Sequence, residues 1–575
     1  MERLLRLACI GSSLSTKWHA YVFLRLLPSG PVYLPIIYTS ATIYVLSFIL
    51  SRTLLSSKTT RRSNALAKAI SLLGGTYDAQ TPSISWAGFV ITLLAPLCCV
   101  DLVYRTHIFY PQRDLGFSRV GWVTEDSANI LIRVPHSGRY KLTYGPTSHP
   151  GIVLQLPEID DSTDYTIPIT LQNLQADTEY LYSLGPETQG SFTTARKAEE
   201  IDKFTILSTS CLKPGWPYNP FTHPLKVDGF THLDNAVKKM DRKPEAMLFL
   251  GDFICEILLC VDSDLPAPVS EYTTSYYRQL YRQVYSSPSW TSLIRSIPWI
   301  HMFDDHEIIN DFSPVKSYDG QDIHMFENAM EPYISYQRSV NPGPINPRQP
   351  TYFSYEIGRV SFFVLDNRSY RSKSPVRPGV NSTAGHGDQS MLGEQQLRDV
   401  MDWINIQGRK EGRLLVLVSG VPATRNWSEG KDELDSWAGY LDEREFILEQ
   451  LWSVGGAVII SGDRHEHATT LIPPPSDSEY QNTSSVIEFS TSPLSFFHLP
   501  WDREYTSHPP TDIPLHHQWE GDSRFGIFDF DTSDSDQPKV EFELVVDGEE
   551  EWRFEWTKGV EVEIPERWTA VSASS

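Results

Sequence analysis

Cysteine is scarce. Six cysteines in 575 residues, scattered along the chain, build no disulfide framework. Cys9, Cys98 and Cys99 belong to the first hundred residues. Cys211, Cys255 and Cys260 lie further on, where a Cys255–Cys260 bridge stays open for an oxidising compartment. Basic charge is also short: 49 Lys and Arg face 72 Asp and Glu, a net −23. The deficit is uneven. Residues 1–105 hold ten Lys/Arg against three Asp/Glu, a net +7, which leaves −30 for the remainder. A surface that acidic repels polyanions, so DNA and RNA are not expected as partners, whereas cations are attracted. Internal repeats are absent. Low complexity is confined to short loops such as PPPSDSEYQNTSS at 473–485.

Charge is missing altogether from two stretches. None occurs between Arg25 and Arg52, which enclose VYLPIIYTSATIYVLSFIL, nor between Asp78 and Asp101, which enclose WAGFVITLLAPLCCV. Each is long enough to cross ~30 Å of hydrocarbon as a helix. We therefore expect a membrane region over 1–110, with two spans near 31–50 and 83–103. Basic residues are shared evenly between the loop joining these spans and their outer flanks, so they do not orient the pair. Sequons at Asn381, Asn426 and Asn482 lean toward a glycoprotein whose large domain is lumenal or extracellular.

Beyond residue 110 the chain is organised in blocks. Residues 111–200 alternate apolar and polar positions in short runs separated by turn residues, as in SRVGWVTEDSANILIRV and TEYLYSLG. That pattern predicts a small β-sandwich, with a tyrosine of the Thr178–Tyr182 run at its corner. Residues 201–475 alternate apolar strands with helix-period segments such as YYRQLYRQVY and MLGEQQLRDVMDWINIQ, an α/β signature. Residues 476–575 return to β and end in an acidic tail. Stretches 313–350 and 371–390, rich in Pro, Gly and Ser, read as loops around a pocket mouth.

The chemistry sits where the apolar strands stop. FTILSTSC ends at Cys211, AMLFLGDFICE passes Asp252, and PWIHMFDDHEIIND delivers Asp304, Asp305, His306 and Asn310. VSFFVLDNRSYR gives Asp366 and Arg368, and AVIISGDRHEH gives Asp463, His465 and His467. In open α/β sheets the rim at the carboxyl ends of the strands is where ligands bind. Carboxylates crowded at one rim repel one another unless cations lie between them. Carboxylate and Asn oxygens suit hard ions, while Cys and His suit a transition metal. A mixed set of this kind is suited to turning water into a nucleophile and to clamping a phosphoryl group. The Arg368 fork matches phosphate oxygens, or alternatively forms a structural ion pair.

As an ordered set, STSC, FLGDF-I-C-E, FDDHEIIND, LDNRSYR, MLGEQQL, LDSWAGY and SGDRHEH resemble the PhoD-like alkaline phosphatase and phosphodiesterase family over roughly 115–530. The resemblance implies a calcineurin-like α/β metallophosphatase core, a two-sheet α/β/β/α sandwich. It places an all-β Ig- or fibronectin III-like sandwich before that core, and the two apolar stretches read above would add two N-terminal transmembrane helices ahead of the sandwich. It also implies iron (Fe3+) accompanied by calcium (Ca2+). Cys211, Asp252, Asp463 and His465 would be iron-centre ligands. Asp252 would bridge to calcium, helped by Asp305, favoured over Asp304, and by Asn310 or its neighbour Asp311. His306 and Arg368 would handle the phosphate, with His306 alternatively a ligand or an orienter; His467 would be supporting rather than ligating.

One departure stands out. Where the family motif carries a second Tyr as an iron ligand, this chain has Cys255. Cys255 could replace that ligand, could select another divalent transition metal, or could mark lost activity. Bridged to Cys260, it would not ligate at all. Two functional expectations result. The first is a membrane-anchored hydrolase that cleaves a phosphate mono- or diester, on a small molecule or a lipid head group, by attack of a metal-bound hydroxide. The second is a lapsed phosphatase fold that serves as a binding or scaffolding module.

Overall fold

The computed structural model describes residues 2–55, 64–147, 151–185, 188–254, 272–314, 321–372, 389–427, 435–499, 501, 505–506, 508 and 511–565. The chain divides into two units. One comprises residues 1–111 with the segment 217–224, and the other holds nearly all of the rest.

The first unit is helical. Its helices are α1 (Glu2–Arg25), α2 (Gly30–Leu55), α3 (Ala65–Leu73) and α4 (Pro82–Phe109). Pro82 opens α4, where a missing N–H has no helical partner to lose. The Asn64 side chain caps α3 by accepting from the Ala67 N–H. The spans expected near 31–50 and 83–103 fall inside α2 and α4, both long and apolar enough to cross a bilayer. α1 was not anticipated, because Ser and Thr interrupt its apolar residues and dilute its mean hydropathy.

The second unit begins with seven strands in two sheets. β1 (Phe117–Val123), β2 (Ser127–Arg133) and β5 (Thr166–Gln172) make a sheet of three; β4 (Ile152–Ile159), β3 (Gly138–Pro146), β6 (Glu179–Ser183) and β7 (Gln189–Thr193) make a sheet of four. Both sheets feed one core that includes Val120, Ile130, Leu142 and Phe192. The corner tyrosine is Tyr180, whose hydroxyl accepts the Gln175 backbone N–H at 2.9 Å.

Two larger sheets come next. The six-stranded sheet runs β10 (Trp299–His301), β9 (Ala246–Phe249), β8 (Lys203–Thr209), β19 (Arg524–Asp531), β20 (Lys539–Val546), β21 (Glu549–Thr557). The eight-stranded sheet runs β11 (Pro344–Asn346), β12 (Gln349–Ile357), β13 (Val360–Val364), β14 (Leu414–Val418), β15 (Val458–Ser461), β17 (Val486–Thr491), β16 (His467–Ile472), β18 (Ile513–Gln518). β8, β9 and β10 are mutually parallel, as are β13, β14, β15 and β17.

Period-two alternation explains why these strands are apolar throughout. Leu248, Ile300, Val416 and Ile460 point into the layer between the sheets. Met247, Phe249 and Trp299 point outward under α5 (Asp228–Lys239), α6 (Thr274–Tyr285), α7 (Ser292–Arg295) and α8 (Gln321–Tyr336). Leu415 and Leu417 point outward under α9 (Gly393–Gln407) and α10 (Leu441–Ser453). The result is four layers, helix–sheet–sheet–helix. The stretch 313–350 is not simply a loop. It contains α8, whose Ala329, Tyr333 and Tyr336 are buried at helical spacing, and the edge strand β11. Residues 373–388 of the second expected loop lie outside the described residues.

Candidate metal centre

The parallel strands of both sheets end at one rim, and the polar residues after them meet there. Asp252 follows β9, Asp304 and Asp305 follow β10, and Asp463 follows β15. These four carboxylates bring one oxygen each to within 4.8 Å of one another. Asp252, Asp305 and a ring nitrogen of His306 form a second group, of three, within the same 4.8 Å, and Asp305, Asp311 and Asp435 form a third. Asp305 belongs to all three groups. Its Oδ1 is buried with no hydrogen-bond partner, although the Arg368 guanidinium lies 3.6 Å away.

The backbone is bent to achieve this. Eleven described non-glycine residues have left-handed φ, and five of them are Cys211, Asp252, Asp311, Asp463 and His465. Such conformations persist only where the surroundings enforce them, and they concentrate at functional sites. Gly251, at φ +96°, lets β9 turn against Asp304; a Cβ there would lie 2.5 Å from the Asp304 Cβ. A Cβ on Gly462 would lie 2.4 Å from Ser210 Oγ, the atom that accepts the Asp463 N–H at 3.0 Å.

Electrostatics show how much charge is compressed here. Burial, then the neighbouring carboxylates Asp305 and Asp304, pushes Asp252 far above the ordinary range, against the pull of His306. Burial with Asp304 and Asp305 does the same to Asp463. Asp304 rises to about 6, mainly by burial, despite its ion pair with Arg368. The Cys211 thiol is also driven up, first by burial and then by Asp252 and Asp463. Its Sγ lies 3.1 Å from Asp252 Oδ2. Carboxylates and a thiol held in this state bind cations in place of protons. The donor set suits both ion classes expected from the sequence: oxygens for a hard ion, sulfur and imidazole for a transition metal.

Other expected residues stand differently. Arg368 is fully buried and its fork is occupied. Nε and Nη2 donate to Asp304, the latter at 3.0 Å, and Nη1 donates to both Asp435 oxygens at 2.9 and 2.8 Å. It is an ion-pair clamp rather than an open phosphate fork. Asn310 is exposed, and it is the neighbouring Asp311 whose carboxylate joins Asp305 and Asp435. His465 lies outside the three groups. Its ring meets Phe496 and Phe497 edge-on at 5.0 and 4.7 Å, and its backbone N–H donates to Ser492 Oγ. His467 is buried between Thr491 and Thr469, at 2.9 and 3.1 Å, and burial holds it neutral. Cys255 and Cys260 lie outside the described residues.

Two participants escaped the sequence reading. Glu307 is buried and accepts the N–H groups of Asp252, Phe253 and Asp304 at 2.7–2.9 Å, tying the ends of β9 and β10 together. Burial raises it to about 7 against those three bonds. Asp435 takes both Arg368 and Arg371, which hold it well below the usual range despite its burial. The segment LDSWAGY was visible as a motif, but nothing in it signalled which arginines Asp435 would meet.

A family model described as PhoD-like phosphatase matches residues 206–541, more than half of the chain. The chain belongs to the PhoD-like phosphatase family. Alkaline phosphatase D of Bacillus subtilis (strain 168) is 25% identical over 232 residues, 37% of this chain and 38% of that protein. The chain thus aligns with under half the length of that relative. Among solved structures, one described as PhoD superposes with a TM-score of 0.57 at 17% identity, covering 76% of this chain and 88% of that one. The purple acid phosphatase PPD1 of yellow lupin superposes with a TM-score of 0.51 at 13% identity, over 76% and 73%. At those identities the likeness concerns the fold: the core matched by the PhoD-like phosphatase family carries the strand-end carboxylates.

Proposed function

We propose that this protein is a metal-dependent phosphoesterase, anchored to a membrane by α2 and α4, that hydrolyses phosphate mono- or diesters. The observation that carries the reading is the set Asp252, Asp304, Asp305 and Asp463, drawn from strand ends of both sheets to within 4.8 Å. Iron would be held by Cys211, Asp252 and Asp463, with His465 completing the set from beside Phe496 and Phe497. Calcium would be held by Asp252, Asp305, Asp311 and Asp435. When bound, these ions supply positive charge for phosphate oxygens and lower the pKa of an attacking water from ~15.7 toward ~7.

The chain's own residues do the rest. Glu307 fixes the backbone of Asp252 and Asp304, so their carboxylates are placed before substrate arrives. Arg368 acts as a positioning residue. Bound to Asp304 on one side and Asp435 on the other, it spaces two carboxylates that would otherwise repel. His306, beside Asp252 and Asp305, is the group placed to meet a phosphate oxygen or to return a proton to the leaving alkoxide. A substrate ester would lie over this rim with its phosphoryl group at the carboxylates. The substrate itself would be a small phosphate ester or a lipid head group.

The test is hydrolysis by the detergent-solubilised full chain. p-Nitrophenyl phosphate and bis-p-nitrophenyl phosphate together report turnover and monoester against diester preference. We expect turnover of at least one ester, with iron or another transition metal copurifying. No turnover of either ester and no bound metal would sink the enzyme reading and leave the lapsed binding module; Cys255→Tyr would then show whether that one position is responsible.

A further inference from the structure

The helical unit carries more membrane than its two apolar helices suggest. Along α1, Leu4, Leu7, Leu14, Trp18 and Tyr21 recur at three-, four- and seven-residue spacing, which keeps them on one face, and each is more than half exposed. The opposite face is buried and largely polar or small: Cys9, Ser12, Ser13, Thr16 and Ala20. Ser13 bonds Thr92 of α4 and Thr16 bonds Ser40 of α2, both at 3.0 Å. A helix in water places its apolar face inward. Apolar side chains outside, with small and hydroxylated residues paired inside, are the arrangement of helices packed in lipid.

Depth points the same way. Cys9 packs with Tyr44 and Phe48, while Thr16 meets Ser40, so α1 and α2 run side by side in opposite directions. At 1.5 Å per residue the 24 residues of α1 extend ~36 Å, enough for ~30 Å of hydrocarbon. A helix alongside a crossing helix over the same depth crosses too. The obstacle is Lys17, the one Lys, Arg, Asp or Glu between Arg6 and Arg25. Its ammonium donates to the Leu73 carbonyl at 2.7 Å, at the negative end of α3, where a cation is welcome.

We propose that α1 is a third membrane-crossing helix, so that the chain crosses three times and the residues after Pro111 lie opposite Met1, on the non-cytosolic side. This rests on the membrane reading of α2 and α4 and goes beyond it, because an odd number of crossings separates the N-terminus from the phosphatase core. It also resolves the charge balance. With α1 crossing, Arg3, Arg6, Arg52, Lys58, Arg61, Arg62 and Lys68 flank the Met1 side, against Arg25, Arg105 and Arg113 on the other. Seven against three satisfies the positive-inside rule with Met1 in the cytosol.

The experiment uses the full chain with an N-terminal epitope, in sealed vesicles whose cytosolic face is outward. Protease is added outside, and glycosylation is read at the exposed Asn482; the Asn426 sequon is buried in the fold. The expected result is loss of the epitope, a protected phosphatase core, and a glycan mass shift that Asn482→Gln reduces and Asn482→Gln combined with Asn381→Gln removes. Epitope and core protected together would show that α1 does not cross and would overturn the inference while leaving α2 and α4 as an anchor. Digestion of the core would overturn the assigned side. Release of the chain by alkaline carbonate would remove the membrane reading itself and this inference with it.

Discussion

The helical unit and the phosphatase core solve opposite problems with the same residue types. In the helical unit, Leu4 and Leu7 are 71% and 65% exposed while Ser13 and Thr16 are sealed inside. In the core, Leu248 and Val416 are sealed inside, and the exceptional buried groups are charges: Asp305 at 2% exposed and Arg368 at 0%. Which residues face outward is set by the surroundings. Lipid favours apolar exteriors and leaves hydroxyl pairs to join helices, while water drives apolar strands together and tolerates buried charge only where something compensates it. In the helical unit the compensation is another hydroxyl or a carbonyl. At the rim of the core it is an arginine, joined in the proposed centre by a cation.

The widest separation between the two regions should come from removing one rim carboxylate. Asp252→Ala is expected to reduce ester hydrolysis to background and to lower bound metal, while detergent-solubilised protein keeps its helical content by circular dichroism. The next effect is structural. Glu307→Ala strips three buried N–H groups of their acceptor, a loss of about 3 kcal/mol of stability, read as a lower Tm or denaturant midpoint for the core. Arg368→Lys keeps the charge but loses the fork that joins Asp304 to Asp435. About 10- to 100-fold in kcat or metal affinity should go with it, and an unchanged enzyme would show that the clamp is idle.

Much of the core could be read before any coordinates. Five apolar runs, each stopping at Cys, Gly or Asp, mark both the strands and the rim, because buried strands and strand-end donors leave a contiguous trace. Pairings across sequence distance leave none. Arg368 meets Asp304 and Asp435 from 64 and 67 positions away, so the sequence leaves a phosphate fork and a structural ion pair equally open, and only the fold shows the fork filled by those two carboxylates. Asn310 and Asp311 are adjacent and equally plausible as text; only the turn, which points Asp311 toward Asp305, separates them. α1 was overlooked for a related reason. Its apolar residues lie on one stripe, and averaging over a window hides a stripe behind the Ser and Thr of the other face.

Two smaller substitutions sharpen the contrast in the helical unit. Leu14→Asp places a carboxylate on the outward stripe of α1. Beside water it would be near neutral. In a bilayer it should cost about 2.5–3.5 kcal/mol and reduce membrane integration. Ser13→Ala removes one inter-helix hydroxyl pair and should cost only about 0.6 kcal/mol, read by thermal unfolding in detergent. The equivalent deletion in the core, Asp305→Ala, should be far more visible in metal binding than in helix packing.

The most direct measurement is a metal titration of the full chain followed by activity. Chelation should strip the rim, abolish ester hydrolysis and lower the melting temperature of the core, and readdition of iron with calcium should restore both in proportion to the metal bound. Hydrolysis that persists unchanged in protein shown by elemental analysis to be metal-free would contradict the account, because the clustered carboxylates would then have some purpose other than holding cations.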